Sequence, residues 1–541
     1  MARLVRRLVP LTTRPRGIEC CVRPLAAESH VFEDGCVRTR TMRARQAAAV
    51  CATAALLAGA AATASLDAED TGGSDNGDVD TDAELLNYSG MKAAKPSILF
   101  TPANTSELAT LVRACHERGV TLRPVGRFLS PNGIAASGEG NGECMVSLAR
   151  CDAILDIDVD NLEVTVEGGA LVGDIVTALA EHGLTLANFS SISDQRVAGW
   201  TQVAAHGTGA ALPTVDMMIK RMTLITPALG ELELAPSGPF ATLFRMASVG
   251  LGCLGVVSRL TLACTPAHAL REHTMVLTGV DAVRAGHAMR LARHRHVRYM
   301  WIPHTDDVVV VTADPIDRDN LVTTALHHAL ERTLAENDEE TDPRRPLQEL
   351  LAAECAARGV SVPDAWTSLS FAGLRDCILD LDPTSLSLVK ATNQAEAQFW
   401  RRHADLGPAV GPSPQVLGFE CGGQQLVLEV CLPAGSARYP SGAGVDFVAE
   451  LKARIEKRGM PVPAPIEHRW TAASQSYMSP AFSADPSDLF AWIGVITYLP
   501  PGQDDEARRC LQLQFDALVE EVEALCDKYV ARAWVGEAAG D

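Results

Sequence analysis

Leu122–Gly133, Leu-Arg-Pro-Val-Gly-Arg-Phe-Leu-Ser-Pro-Asn-Gly, is the stretch on which the reading of the fold turns. Its first four residues end an apolar strand; the rest break into Gly, Ser, Pro and Asn. A turn of this kind exposes successive backbone N–H groups, and a run of those makes an anion-binding concavity. The same composition suits an ordinary strand-to-turn junction, since Gly, Pro and Asn mark turns generally. Ahead of it, Ser97–Thr101 is a short apolar run closed by Pro102. Thr105–Gly119 follows with Leu108, Leu111, Val112 and Cys115 at helical spacing. Val120–Val125 is the strand that delivers the loop, so the three elements read as a β-α-β unit.

Cys144–Leu148 is a further strand. Ala153–Val159 and Glu163–Glu167 read as a hairpin around Asp160-Asn161, and Val172–His182 as a helix stopped by Gly183. Then come Leu184–Gln195 (Leu-Thr-Leu-Ala-Asn-Phe-Ser-Ser-Ile-Ser-Asp-Gln) and Gly199–Gly209 (Gly-Trp-Thr-Gln-Val-Ala-Ala-His-Gly-Thr-Gly). Gly250, Gly252 and Gly255 fit G-x-G-x-x-G, with Glu272 about twenty positions on. The context is reversed, however: Pro239–Val249 reads as helix and Val256–Leu262 as strand, where a dinucleotide fingerprint needs the strand first. Three glycine- or serine-rich loops in one α+β domain suit a cofactor cradle without matching that fingerprint.

The chain has 541 residues, which predicts two domains plus extensions. A formal net charge of −20 argues against a nucleic-acid-binding body, which needs a basic face, and suits a basic protein partner. The 15 Cys show no paired C-x-x-C spacing, so no metal site is expected, and they read as small buried hydrophobes.

Residues 1–46 are arginine-rich and acid-poor, either a mitochondrial transit-like leader or a disordered basic tail. Ala47–Leu66 is an uncharged, Ala-dominated run about long enough to span a bilayer as a helix; a cleaved second signal or a linker are the other readings. Arg43 and Arg45 before it, and Asp67, Glu69 and Asp70 after it, place the body on the side away from the arginines. Residues 67–89 form an acidic linker, and the folded body is expected to begin near Tyr88, with domains at 90–265 and 266–541. In the second domain Val297–Val311 reads as two strands around Pro303–Asp306, and Asn337–Pro346 as an exposed loop. Glu467 and Arg469 alternate on one side of a strand with His468 opposite. The pair suits either a polyhydroxylated substrate or a surface ion pair.

Taken together, Leu122–Gly133, Leu184–Gln195, Gln202–Gly209 and Gly250–Val257 resemble the FAD-binding domain of the vanillyl-alcohol-oxidase superfamily, and within it the aldonolactone oxidoreductases. Asn393–Trp400, Leu417–Gln425, Glu429–Gly435 and Pro465–Pro480 carry the resemblance into the second half. It implies an α+β fold, with a PCMH-type two-subdomain FAD-binding domain followed by an α+β substrate (cap) domain. Carried over, Val125, Gly126, Arg127, Phe128, Leu129, Ser130 and Asn132 hold the pyrophosphate side of FAD. Ser190, Ser191, Ile192, Ser193, Gln195, His206, Gly207, Thr208 and Gly209 border the ring and phosphates, and Val256 the adenine. Many oxidases of the superfamily carry a flavin-bonding His where Leu129 stands, so the resemblance implies non-covalent FAD. Ser190 occupies a position that is Ala in dehydrogenases and Gly in oxidases, where a side chain is held to obstruct O2. Its size implies a dehydrogenase.

By the same resemblance Arg469 binds the lactone and stabilises developing negative charge, and Glu467 anchors hydroxyls. Cys421 matches a cysteine whose oxidation impairs activity; a buried inert thiol is the competing reading. The implied reaction is FAD-dependent oxidation of L-galactono-1,4-lactone to L-ascorbate with electrons passed to cytochrome c. The implied place is the mitochondrial inner membrane, facing the intermembrane space. The alternatives are a gulono- or arabinono-1,4-lactone oxidase producing hydrogen peroxide, and a non-catalytic assembly factor of respiratory complex I that keeps the flavin fold. Two departures stand out. Arg127 and Phe128 replace small residues, often Gly, so Phe128 is expected to crowd the pyrophosphate and Arg127 to compensate as a phosphate partner. Around Ala533-Trp534-Val535-Gly536 the family's His-Trp-x-Lys is not matched.

Overall fold

The helix Thr105–Glu117 forms as its pattern predicts. Asn104 caps it by accepting from the Glu107 amide at 3.0 Å, and Glu107 reaches back to the Ala103 amide at 2.8 Å. The first bond satisfies one of the donors a helix start leaves open, and the second ties down the residue that leads into the cap. Leu108, Val112 and Cys115 point inward. The computed structural model describes residues 79–136, 143–316, 341–418, 423–463 and 465–533. The basic leader, Ala47–Leu66, residues 337–340, Cys421 and Trp534 lie outside them.

Ile98–Phe100 and Leu122–Val125 are parallel but not adjacent, because Cys144–Ser147 lies between them and pairs with both. On the far edge Val79–Asp80 runs antiparallel to Ile98–Phe100. Ordered structure therefore begins ahead of Tyr88. Edge pairing uses main-chain groups, which an acidic, Gly-rich sequence supplies as well as an apolar one.

A second sheet is wholly antiparallel, in the order Gly230–Leu234, Ile219–Thr226, Val256–Ala263, Glu163–Glu167, Ile154–Asp158. The helices Val172–Glu181 and Ala241–Ala247 cover it with Ile175, Leu179 and Phe244. One stretch read as loop is partly helical: Val197–Gln202 is a short helix with Val197, Trp200 and Thr201 buried. Burial three and four positions apart outweighs the single Gly199 there.

The second half is built on an eight-stranded antiparallel sheet. Its order is Ala409–Pro412, Ala269–Thr278, Asp307–Ile316, His296–Trp301, Ile466–Ala472, Asp488–Tyr498, Gln425–Ser436, Arg532–Ala533. One face packs on Val280–Arg293, Ala443–Arg458 and Asp505–Tyr529 through Tyr299, Trp470, Phe447 and Phe515. The other face is shared. Trp492 and Cys431 pack into the core of the five-stranded sheet, while Met300 and Tyr498 lie under Leu386–Asp405 and its neighbour Phe371–Asp380. The gap between these two coverings is where the larger cavity opens. Among the described residues no helix is long and apolar enough to cross a membrane.

Candidate active site

The shared sheet face is a grid fixed by register. Met300 pairs with Glu467, Glu467 with Gly494, and Gly494 with Glu429. In the next row Arg298 pairs with Arg469, and Arg469 with Trp492. Residues two apart in a strand share a face, so Glu467 and Arg469 project together, as their spacing predicts. His468 projects to the other face, wholly buried and 4.0 Å from the Trp470 ring, where burial holds its pKa well below the usual histidine value.

Arg469 reaches between two carboxylates. Its Nη2 donates to Glu429 Oε1 at 2.6 Å, and its Nε lies 3.6 Å from Glu467 Oε2. Arg298 Nη1 stands 3.9 Å from Glu467 Oε1. The second oxygen of Glu429 pairs with His206 Nε2 at 2.8 Å, and the His206 ring stacks on Trp492 at 3.9 Å. Burial alone would raise the pKa of Glu429. The Arg469 guanidinium and His206, with the hydrogen bonds both make, reverse this and hold it down to about 2. Glu429 therefore stays ionised as a fixed counter-charge behind Arg469.

Arg298, Met300, Glu467, Arg469, Gly494, Ile496 and Tyr498 are all on the floor of a cavity of 320 Å³. Leu129, Ser130, Ser191, Ile192 and Gln195, from the first half of the chain, form the opposite side. Leu129, Ser130, Gln195 and Val203 also line a second cavity of 160 Å³, which runs back between the two smaller sheets along Val125–Ser130 to Gly252, Gly255, Val256 and Val257. The two cavities thus share a wall at Leu129–Ser130.

The opening loop fits a pyrophosphate. The amides of Gly126, Arg127, Phe128, Leu129 and Ser130 donate no hydrogen bond among the described residues. Arg123, Arg127 and Arg196 line the same cavity; Arg123 Nη1 donates to the Ile134 carbonyl at 3.1 Å and Arg196 Nη1 to the Gly169 carbonyl. Phe128 lines this cavity too, with its side chain packed into the core. The residue adopts φ +58°, the left-handed region, and its side chain is buried in an apolar cluster with Ala94, Val125 and Met145. The backbone takes the shape a glycine would, while the ring turns into the core. Arg127 faces Asp194, 3.8 Å away. Asn87 braces the loop from outside: its Nδ2 donates to the carbonyls of Ser130 at 3.1 Å and Pro131 at 2.9 Å, and longer to Asn132.

Other expected cofactor residues stand back from the cavities. Asn132 caps its own turn through the Ile134 amide at 3.0 Å. The Ser190 hydroxyl donates to Gln195 Oε1 at 2.7 Å and accepts from Trp200 Nε1 at 2.9 Å. The carbonyl of Ser193 receives the Gly173 amide at 2.9 Å. His206, Gly207, Thr208 and Gly209 lie against the eight-stranded sheet: besides His206–Glu429, Thr208 Oγ1 is 3.1 Å from His296 Nδ1 and the Gly209 amide donates to the Trp470 carbonyl at 2.8 Å. At Gly207 a Cβ would come within 2.2 Å of Asn188 Oδ1 and of the Phe189 carbonyl oxygen, so only glycine fits. Sequence reasoning missed Glu429 and Arg196. Glu429 lies in a quoted stretch, and its single acid inside the apolar run Leu426–Leu432 was the available signal.

Comparison with known proteins gives the family to which the chain is similar. Residues 96–234 match the family model described as an FAD binding domain, and residues 377–530 the model described as D-arabinono-1,4-lactone oxidase. A mitochondrial L-galactono-1,4-lactone dehydrogenase of Arabidopsis thaliana is 42% identical over 422 residues, 77% of this chain and 67% of the relative. A second, from Oryza sativa subsp. japonica, is 40% identical over 447 residues, 83% and 74% of the two chains. Among solved structures, cholesterol oxidase from B. sterolicum superposes with a TM-score of 0.60 at 14% identity, covering 83% of this chain and 84% of that one. That likeness concerns the fold.

Proposed function

The chain belongs to the L-galactono-1,4-lactone dehydrogenase family of FAD-dependent aldonolactone oxidoreductases, and from this we propose that it oxidises L-galactono-1,4-lactone to L-ascorbate and passes the electrons to cytochrome c. The carrying observation is Arg469, fixed in the floor of the larger cavity by the ionised, fully buried Glu429 and flanked by Glu467.

Bound FAD supplies the hydride acceptor; Gly126–Ser130, Arg123 and Arg196 would hold its pyrophosphate, Ser191, Ile192 and Gln195 its ring end, and Val256 its adenine end. The chain's own groups do the rest. Arg469 binds the lactone and stabilises negative charge on its oxygens as the C–H bond beside the carbonyl-bearing carbon breaks and the neighbouring O–H proton leaves. Its position is set before substrate arrives, because Glu429 and His206 hold it from behind. Glu467 accepts hydrogen bonds from ring hydroxyls. Tautomerisation of the oxidised lactone yields ascorbate. The net charge of −20 favours encounter with a basic electron acceptor. The transit-like leader and the mitochondrial names of the relatives support a mitochondrial location; we place the body at the inner membrane facing the intermembrane space, with residues 47–66 as an anchor.

The test is an absorption spectrum of the purified protein before and after adding L-galactono-1,4-lactone without oxygen. A flavin band that bleaches, and returns when ferricytochrome c is added, supports the reading. A protein without flavin, or a band that the lactone leaves unchanged, overturns it.

A further inference from the structure

The helical roof of the larger cavity carries a second polar cluster. Glu396, on Leu386–Asp405, is 1% exposed and lines the cavity. Its Oε1 accepts from Trp400 Nε1 at 3.2 Å, and its Oε2 has no hydrogen-bond partner among the described residues. Arg375, on Phe371–Asp380, is 4% exposed and lines the same cavity. Its guanidinium lies 3.5 Å from the centre of the Tyr498 ring; among the described residues its nearest carboxylate contact is a long 3.8 Å ion pair with Asp376, and its Nε makes no hydrogen bond.

Buried polar atoms are normally paired, because an unpaired one forfeits its hydration. Two such groups facing one cavity are accounted for if what enters the cavity completes them. Burial pushes the pKa of Glu396 up, against the opposing pull of Arg375 and Trp400. A carboxyl tending to its neutral form both donates and accepts, which matches a hydroxyl. The lactone ring is already provided for by Arg469 and Glu467 on the floor. The remaining polar part of a six-carbon aldonolactone is the two-carbon diol chain that projects from the ring.

We propose that Glu396 and Arg375 form a second subsite, which binds the exocyclic diol of the aldonolactone and determines which lactone is accepted. Glu396 exchanges hydrogen bonds with one hydroxyl, and Arg375, held flat by Tyr498, donates to the other. This rests on the lactone reading above and deepens it. Discrimination then comes from the helical roof, and the bond-breaking chemistry from the sheet.

The experiment compares L-galactono-1,4-lactone with threono-1,4-lactone, which keeps the ring hydroxyls and lacks the chain. Binding and turnover of both are measured for the flavin-loaded wild type and for Glu396→Ala, Glu396→Gln and Arg375→Lys, with flavin content and melting temperature recorded for each. Glu396→Ala is expected to raise KM for the six-carbon lactone about tenfold, equivalent to one good hydrogen bond, and to change KM for the short lactone less than about twofold. Glu396→Gln, which keeps a donor and an acceptor, retains most of the discrimination. If Glu396→Ala does not fold, Arg375→Lys is expected to show the same selective loss through the missing guanidinium fork. Equal losses for both lactones, or none, overturn the subsite and leave the lactone reading standing. A wild type that binds neither lactone overturns both.

Discussion

Arg469 Nη2 lies 2.6 Å from Oε1 of Glu429, a carboxylate with no exposure to solvent. A guanidinium in a cavity is free to turn towards any passing anion; this one is aimed by a partner it cannot lose. The partner is itself held by His206 at 2.8 Å, so a residue within the FAD-binding match stabilises the charge behind a residue within the arabinonolactone-oxidase match.

Replacing Glu429 by Gln leaves Arg469 buried without its counter-charge. Breaking a buried pair on one side costs about 3–5 kcal/mol, so melting is expected to fall sharply and turnover by at least about a hundredfold. The pH dependence has a definite sign. The folded carboxyl is held down to about 2 against an ordinary value of 4.5. Its stabilisation is therefore complete above about pH 4.5 and is lost as pH falls towards 2. The melting difference between wild type and Glu429→Gln should be constant above pH 5 and shrink below it. A difference that grows on acidification would refute this assignment.

Arg469→Lys and Glu467→Gln separate the two roles on the cavity floor. Lysine keeps the charge but cannot span Glu429 and Glu467 with a fork, so kcat is expected to drop about a hundredfold with the flavin spectrum intact. Glu467→Gln is expected to act mainly on KM, about tenfold, because it weakens hydroxyl recognition. Steady-state kinetics on purified, flavin-loaded variants check both.

Phe128 predicts an inverted ranking. A left-handed backbone costs a non-glycine residue about 1–2 kcal/mol, while its buried ring contributes about 3–5 kcal/mol. Wild type should be the most stable, Phe128→Gly next and Phe128→Ala the least, since alanine loses the ring and keeps the strain. Chemical denaturation of the three proteins settles the order; Ala above Gly would contradict it.

Ser190 is tied to Trp200 and Gln195. Ser190→Ala leaves the Trp200 N–H without that acceptor and should destabilise by about 1–3 kcal/mol, while reduced flavin still reoxidises slowly in air. Ser190→Gly removes the side chain altogether and is expected to speed reoxidation at least about tenfold. Stopped-flow mixing of reduced protein with oxygenated buffer measures it.

Leu129 offers no nucleophile to the flavin, so acid precipitation should leave all the flavin in the supernatant. Colour in the pellet would show a covalent bond elsewhere.

Much of this was legible in the residues. Thr105–Glu117 carries its cap and its apolar stripe in sequence, and the pairing of Glu467 with Arg469 on one face follows from alternation alone. What was hidden is long-range. Glu429 meets His206 across 223 positions and Arg469 across 40, and an acid in Gln425–Ser436 has no periodic signature of its own. Phe128 misled for a different reason. Composition says that a large residue stands where a small one belongs; only the backbone angle shows the ring leaving the loop for the core. Glu396 and Arg375 sit on amphipathic helices, where a buried charge looks like any other polar position until the neighbouring sheet is placed.

Asn87 holds the carbonyls of Ser130 and Pro131, and next to it the Tyr88 hydroxyl donates to the Gly423 carbonyl at 2.9 Å. The walls of the larger cavity are contributed by residues from Tyr88 to Tyr498. A nascent chain thus cannot close this chamber until almost all of it has left the ribosome. The smaller cavity differs: its lining runs only from Arg123 to Val257, so it can form while the second half of the chain is still being made.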